Sequence, residues 1–161
     1  MSIGQVFLSK EFNPPENFHN SEFFLTVLEP NLTEIDYKAV MSSKDRLRQV
    51  FFKNDEWPSD NMTLEENTKD LIRHELEFKQ KKAFAYSVFS HDKENYIGCV
   101  YINPTTKRNY DCEVFLWVRD SRIHLDKALF DNTKEWLKDW PVKKIAFPGR
   151  DISWEEWGCE A

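Results

Sequence analysis

Two neighbouring parts of this chain carry residue types that could do chemistry. One is a carboxylate on a strand-like run: Glu113 in Cys112-Glu113-Val114-Phe115-Leu116-Trp117-Val118. A carboxylate partly withdrawn from water has its pKa raised towards the working range and can act as a general base. The plainer reading is an exposed Glu paired with a Lys. Asp111 lies two positions earlier, on the same side of an extended chain, and is the second choice of base. The other part is the strand-to-helix passage that follows. Arg119-Asp120-Ser121-Arg122-Ile123-His124 leads into a periodic run at Leu125, Ala128, Leu129, Trp136, Leu137 and Trp140. The first N–H groups of a helix lack partners in their own helix and attract anions, so a phosphate would sit here. Arg119 and Arg122 supply charge, and Ser121 and His124 fall in the same stretch. Asp120 and Asp126 oppose an anion. Such junctions ordinarily use glycine for close approach of the backbone, and this one has none. A solvated turn, with Asp126 favouring the helix N-terminus, accounts for the same residues.

The other reactive types form no pattern. His74, in Arg73-His74-Glu75-Leu76-Glu77-Phe78, lacks the second histidine of a metalloprotease helix and reads as structural or surface. His19 and His91 read the same way, and His124 also reads as an exposed helix-start residue. Cys99, Cys112 and Cys159 are odd in number and show no CxxC or Cys/His spacing, so no metal is expected. They read as reduced thiols, with Cys99 and Cys112 close together on neighbouring strands. Trp136 and Trp140 fit core spacing. Trp57, Trp154 and Trp157 lie in loop or tail, where they line a ligand cleft or cover a sheet edge.

The 161 residues suit one domain, 1–161, with one real core. A net charge of −6 argues against a nucleic-acid surface. It fits a cationic substrate such as an amine, and equally an ordinary cytoplasmic protein. The apolar run at the N-terminus is short and is followed by Lys10 and Glu11, so no signal peptide is read. No apolar run is long enough to span a membrane. The sequons at Asn31 and Asn61 mean nothing without a secretory signal.

Several elements must position these residues. Phe23–Leu28 reads as a buried strand. Thr33 with Asp36 resembles a capped helix start, and 33–53 reads as one broken or two short helices with Val40, Met41, Leu47, Val50 and Phe51 inward. Residues 54–62 read as a loop. Thr63-Leu64-Glu65-Glu66 is a capping box that opens a helix to about Lys81, with Leu64, Leu71, Ile72 and Phe78 on or near one face. Strands follow at 83–89, 96–102 and 110–118, then a helix over 125–139 and a closing strand over 143–147. One helical turn is read at 153–157. The order is β–α–α–β–β–β–α–β. It predicts an α+β fold with a mixed, mostly antiparallel central sheet flanked by helices.

That order resembles the GNAT superfamily of N-acetyltransferases over about residues 22–150. Residues 1–21 would form an N-terminal extension and 148–161 a short tail. Tyr96–Pro104, YIGCVYINP, resembles the family's third strand, and Cys112–Arg119, CEVFLWVR, its fourth. Leu125–Leu137 resembles the helix after the cofactor loop, and Lys143–Pro148 the fifth strand. The resemblance implies acetyl-CoA as co-substrate, an amine as acceptor and Glu113 as base. It implies that the pantetheine arm pairs with Phe115, Leu116, Trp117 and Val118, and that the pyrophosphate lies over Arg119, Ser121, Arg122 and His124. Two departures stand out. The family's loop glycines fall on Arg122 and His124 in one register, and on His124 and Asp126 in another. Only fourteen residues follow Phe147, where a typical member adds a helix and two strands. The acceptor site is therefore expected to be simpler, shared with a partner, or missing. An acetyltransferase is the first reading and a catalytically inactive GNAT-fold binding or regulatory module the second. The third is an unrelated α+β ligand or protein-interaction domain whose tail aromatics make a homodimer.

Overall fold

Apolar and aromatic residues dominate three successive runs between Phe84 and Val118, and each becomes a long central strand. The computed structural model describes residues 7–161, so the first part of the run read above as too short for a signal peptide lies outside the described residues. The strands are β1 (Asn17–His19), β2 (Phe23–Val27), β3 (Phe84–Ser90), β4 (Tyr96–Asn103), β5 (Cys112–Val118) and β6 (Ile145–Ala146). They form one six-stranded sheet in chain order, antiparallel throughout except for the parallel pair β5–β6. β1 was not expected, because three polar-flanked residues carry no strand pattern. It forms because the Asn20 side chain accepts the N–H groups of Glu22 and Phe23, at 2.8 and 2.9 Å, and turns the chain back on itself.

Helices α1 (Thr33–Ser42), α2 (Lys44–Leu47) and α3 (Leu64–Lys79) cover one face of the sheet, and α4 (Asp126–Trp136) covers the other. A short helix, α5 (Trp154–Cys159), follows β6. The capping box of α3 is present: Thr63 Oγ1 accepts the Glu66 N–H at 3.1 Å, and the Glu66 carboxylate accepts the Thr63 N–H at 3.3 Å. Its inward stripe runs through Asn67, Leu71, His74 and Phe78. Leu64 and Ile72, expected on that face, are 39% and 51% exposed. Ile72 is one residue, about 100°, off the stripe. Thr33 caps nothing, since α1 begins without a side-chain cap. Asp36 is buried instead, accepting from Tyr96 Oη and, at 3.1 Å, from Asn67 Nδ2. The second short helix ends at Leu47 rather than continuing towards residue 53.

Alternation along β5 divides the core in two. Val114, Leu116 and Val118 pack beneath α4 with Tyr86, Trp136 and Trp140. Phe115 and Trp117 pack beneath α1–α3 with Tyr101 and Cys99. Trp136 and Trp140 are thus core residues, with ring centroids 5.4 Å apart in an edge-to-face pair. Cys99 and Cys112 are not close. Cys99 is paired with Trp117 at the far end of β5, and the two thiols lie on opposite faces of the sheet.

The strand expected over 143–147 shrinks to two residues for identifiable reasons. The Asp111 carboxylate takes the N–H groups of Lys143 and Lys144, at 2.8 and 2.9 Å. At the other end, the Phe147 N–H bonds Asp151 Oδ1 at 3.0 Å, and Pro148 has no N–H to give. β6 therefore pairs only with Cys112 and Glu113. Beyond Glu113 the two strands part, and among the described residues the outer edge of β5 has no strand partner from Val114 to Val118.

Candidate active site where two strands part

The exposed edge of β5 has a definite polarity. The Arg119 N–H bonds Ile97 O at 2.8 Å, so odd-numbered residues of β5 turn their peptide groups to β4. Leu116 and Val118 turn theirs into the gap. Their carbonyls are met there by two arginines. Arg150 Nη2 donates to Leu116 O at 3.1 Å, and Arg46 Nη2 donates to Val118 O. Arg150 also grips Asp126 with two bonds, of 2.8 and 3.0 Å, and Arg46 Nε holds Asp120 at 2.7 Å. The gap is a cavity of about 230 Å³ that includes Phe115, Leu116 and Ile123 in its wall.

The glycine-free passage is wound into a 3₁₀ helix, Asp120–Leu125, with a kink at Arg122. The winding consumes donors: the Arg122 N–H bonds Arg119 O at 2.9 Å, and the Asp120 N–H bonds Ser43 Oγ at 2.8 Å. The Arg119 guanidinium folds back to Tyr96 O at 3.4 Å, and its Nε has no partner among the described residues. Arg122 is partly buried, while Ser121 and His124 are exposed. Of the four strand residues expected at a cofactor, Phe115 and Leu116 line the gap and Val118 offers its carbonyl. Trp117 faces the other way, donating its indole N–H to Tyr101 Oη at 2.8 Å.

Arg46 and Arg150 carried no signal in the sequence. Arg46 sits on the four-residue helix α2. Arg150 reaches the gap because the turn at Gly149 has φ +81°, which returns the chain over β5. A Cβ there would also stand 2.7 Å from the Trp154 ring, so glycine is required twice over.

A second cavity, of about 380 Å³, opens on the α1–α3 face. The sheet contributes Tyr101, Asn103, Glu113 and Phe115. From α3 come Asp70, His74 and Glu77, at the i, i+4, i+7 spacing of one helical face. The loop after α2 contributes Phe51, Phe52, Asp55 and Trp57, and α5 contributes Trp157. Phe115 lines both cavities, which adjoin there. Trp57 and Trp157 stand at a cleft, and Trp157 is buried rather than offered to a second chain. Trp154 packs against Gly149 instead.

Electrostatics separate the two cavities. Burial raises the Glu113 carboxyl above its ordinary range, against a bond from Thr105 and the field of Lys107. Burial likewise raises Asp70, against the field of Arg73. Burial, helped by Arg73, pushes His74 down to about 3, so its ring is neutral in the cavity. Asp111 is different. It is exposed, precedes β5, and is held low chiefly by the Lys144 and Lys143 N–H groups, so it is a turn clamp and not a second base. One cavity thus carries several carboxylates against Arg73, and the other carries Arg46 and Arg150 against Asp126.

No protein-family model matches the sequence, and no curated protein matches it. Solved structures do. The structure of the microcin C7 self-immunity acetyltransferase MccE, in complex with acetyl-CoA and AMP, superimposes with a TM-score of 0.63 at 13% identity, over 80% of this chain and 68% of the solved chain. The fold is that of the GNAT acyltransferases. RimL, the ribosomal L7/L12 alpha-N-protein acetyltransferase, solved with coenzyme A, gives a TM-score of 0.53 at 19% identity over 63% of this chain. The chain spans 54% of that RimL structure. Spermidine N-acetyltransferase from Vibrio cholerae, solved with CoA and spermine, gives 0.56 at 13% identity, over 78% of this chain and 70% of the enzyme. The GNAT fold accounts for the layer order, with three helices on one face of the sheet, one on the other, and a parallel last pair of strands.

Proposed function

We propose that this protein transfers an acetyl group from acetyl-CoA to an amine, with the acyl donor in the β5–β6 gap and the amine in the larger cavity. The observation that carries the reading is the meeting, at Phe115, of a cavity that holds Arg46 and Arg150 with a cavity rich in carboxylates, beside a strand edge without a strand partner among the described residues. An anionic donor suits the first cavity and a cationic acceptor the second. Acetyl-CoA, when bound, supplies a thioester carbon open to attack. Leu116 and Val118 turn their peptide groups towards it, and a backbone N–H fixed at that edge would steady the developing oxygen charge. Glu113, raised by burial, takes the proton of the attacking amine, directly or through water. Phe115 keeps the two cavities contiguous.

The pyrophosphate has no glycine loop here. Arg46 and Arg150 take that work, with Ser121, Arg122 and His124 at the outer lip. Arg119 stays turned to β4. Exchanging Asp120 for phosphate is inexpensive, because a half-exposed pair such as Arg46–Asp120 contributes only about 0–1 kcal/mol, whereas Asp126 is held by two bonds in a partly buried pair and gives Arg150 up less readily. The reading sets the enzyme in the cytoplasm, with its cysteines reduced.

A second reading, a catalytically inactive GNAT-fold binding module, is favoured by one observation. The carbonyls of Leu116 and Val118 are already held by Arg150 and Arg46. Calorimetric titration with acetyl-CoA separates the two. The first reading expects micromolar binding that weakens at least roughly tenfold in Arg150→Glu. No binding at millimolar acetyl-CoA leaves the second.

A further inference from the structure

We propose that the acceptor is a short linear amine with a second cationic centre, a diamine or longer aliphatic polyamine, whose distal charge is held by Asp70 beside Trp57. The inference rests on the acetyl-transfer reading only for which nitrogen reacts. Asp70 and Glu113 stand on different walls of one cavity, the first on α3 and the second on β5. Neither forms a salt bridge among the described residues, although both are partly withdrawn from water. A carboxylate in that condition is satisfied by a cation that brings its charge with it. Two such carboxylates on separate elements fit two charges on one molecule better than one.

His74 points the same way. Its ring is largely buried, lines the cavity between Asp70 and Glu77 along α3, and has no hydrogen-bond partner among the described residues; Tyr101 lies against it, with ring centroids 5.6 Å apart. Being neutral, it adds no positive charge to compete with a bound cation, and it offers an acceptor for an ammonium N–H. The walls are aromatic: Phe51 packs edge-on to Trp57 and Tyr101, at 5.5 and 5.0 Å between centroids. Aromatic faces around carboxylates suit alkylammonium groups and the methylenes between them. Outward, the cavity continues into a groove that shares Asp55, Trp57 and Asp70 and adds Glu56 and Glu66, with Lys69 the one basic side chain in its wall. A longer polyamine has acidic surface to follow there.

Direct titration without acetyl-CoA tests this. The probes are 1,4-diaminobutane, n-butylamine and a short peptide with a free N-terminus and no other cation. Wild type is expected to bind the diamine at least roughly tenfold more tightly than the monoamine. Asp70→Asn should remove that preference and still fold, since the Asp70 carboxylate forms no salt bridge or hydrogen bond among the described residues. Asp131→Asn, which removes the same charge from α4 on the opposite face, should keep it. Equal affinity for diamine and monoamine, a preference that survives in Asp70→Asn, or tighter binding of the peptide each overturns the proposal. Because binding is read without the acyl donor, a failed acetyl-CoA titration leaves this result standing. Failure here with acetyl-CoA binding intact overturns only the acceptor's identity.

Discussion

Glu113 and Asp111 look alike in the sequence and have opposite fates. Glu113 is carried by β5 into a cavity and its carboxyl is raised by burial, while Asp111 holds two backbone N–H groups in solvent and is lowered. Glu113→Gln should cut kcat/KM by roughly a hundredfold or more without moving Tm appreciably. The wild-type rate should fall as pH drops through the raised Glu113 pKa, and the variant should lose that acidic limb; a pH–rate profile of both proteins checks it. His74 was read as structural or surface, because a lone histidine in a polar helix carries no partner pattern. Only the packing of α3 shows it lining the cavity. Its consequence is for stability. The unfolded chain takes up a proton near pH 6.5, whereas the folded ring resists protonation down to about 3. Stability therefore falls as pH drops between those values, by up to about 1.4 kcal/mol per pH unit. His74→Gln should flatten that slope, seen as a smaller loss of the urea midpoint between pH 7 and pH 5 than in wild type.

At the level of elements, the long central strands and α3 and α4 were legible because period two and period 3.6 are written in their apolar residues. The capping box at Thr63 fixed where α3 starts. β1 was not legible, since it depends on the Asn20 side chain closing a turn. The length of β6 was not legible either, because Asp111 and Asp151, far from one another in sequence, take the N–H groups a longer strand would need. That shortening opens the gap, so the most consequential feature of the fold was among the least readable. The β4–β5 pairing that supports the gap tolerates no side chain at Gly98, where a Cβ would lie 1.9 Å from Trp117 O. Gly98→Ala should destabilise the protein by about 3 kcal/mol, the upper end for overpacking, because backbone cannot yield as a side chain does. Thermal unfolding measures it, and an unchanged Tm would mean that the two strands slide without cost.

Across the whole molecule, the net charge of −6 conceals a separation. Arg46 and Arg150, held by Asp120 and Asp126, stand at the β5–β6 gap, and the cavity behind Phe115 holds Asp70 and Glu113, which form no salt bridge among the described residues. Composition argued against nucleic acid and was compatible with a cationic ligand as with an ordinary protein, but it held no trace of the arginines at the gap. The loop once expected to carry the phosphates is wound tight, and arginines from α2 and from the turn after β6 stand in its place. The short tail was expected to leave the acceptor side simpler, shared or missing. In the structure α5 folds inward and adds Trp157 to the wall of the carboxylate-rich cavity. The central claim is that the two cavities act as one site. Mass spectrometry of a mixture of the protein, acetyl-CoA and 1,4-diaminobutane tests it most directly. The account predicts monoacetylated diamine, free CoA released in equal amount, and almost none of either with Glu113→Gln. Bound but unconsumed acetyl-CoA, or equal product from Glu113→Gln, would contradict it.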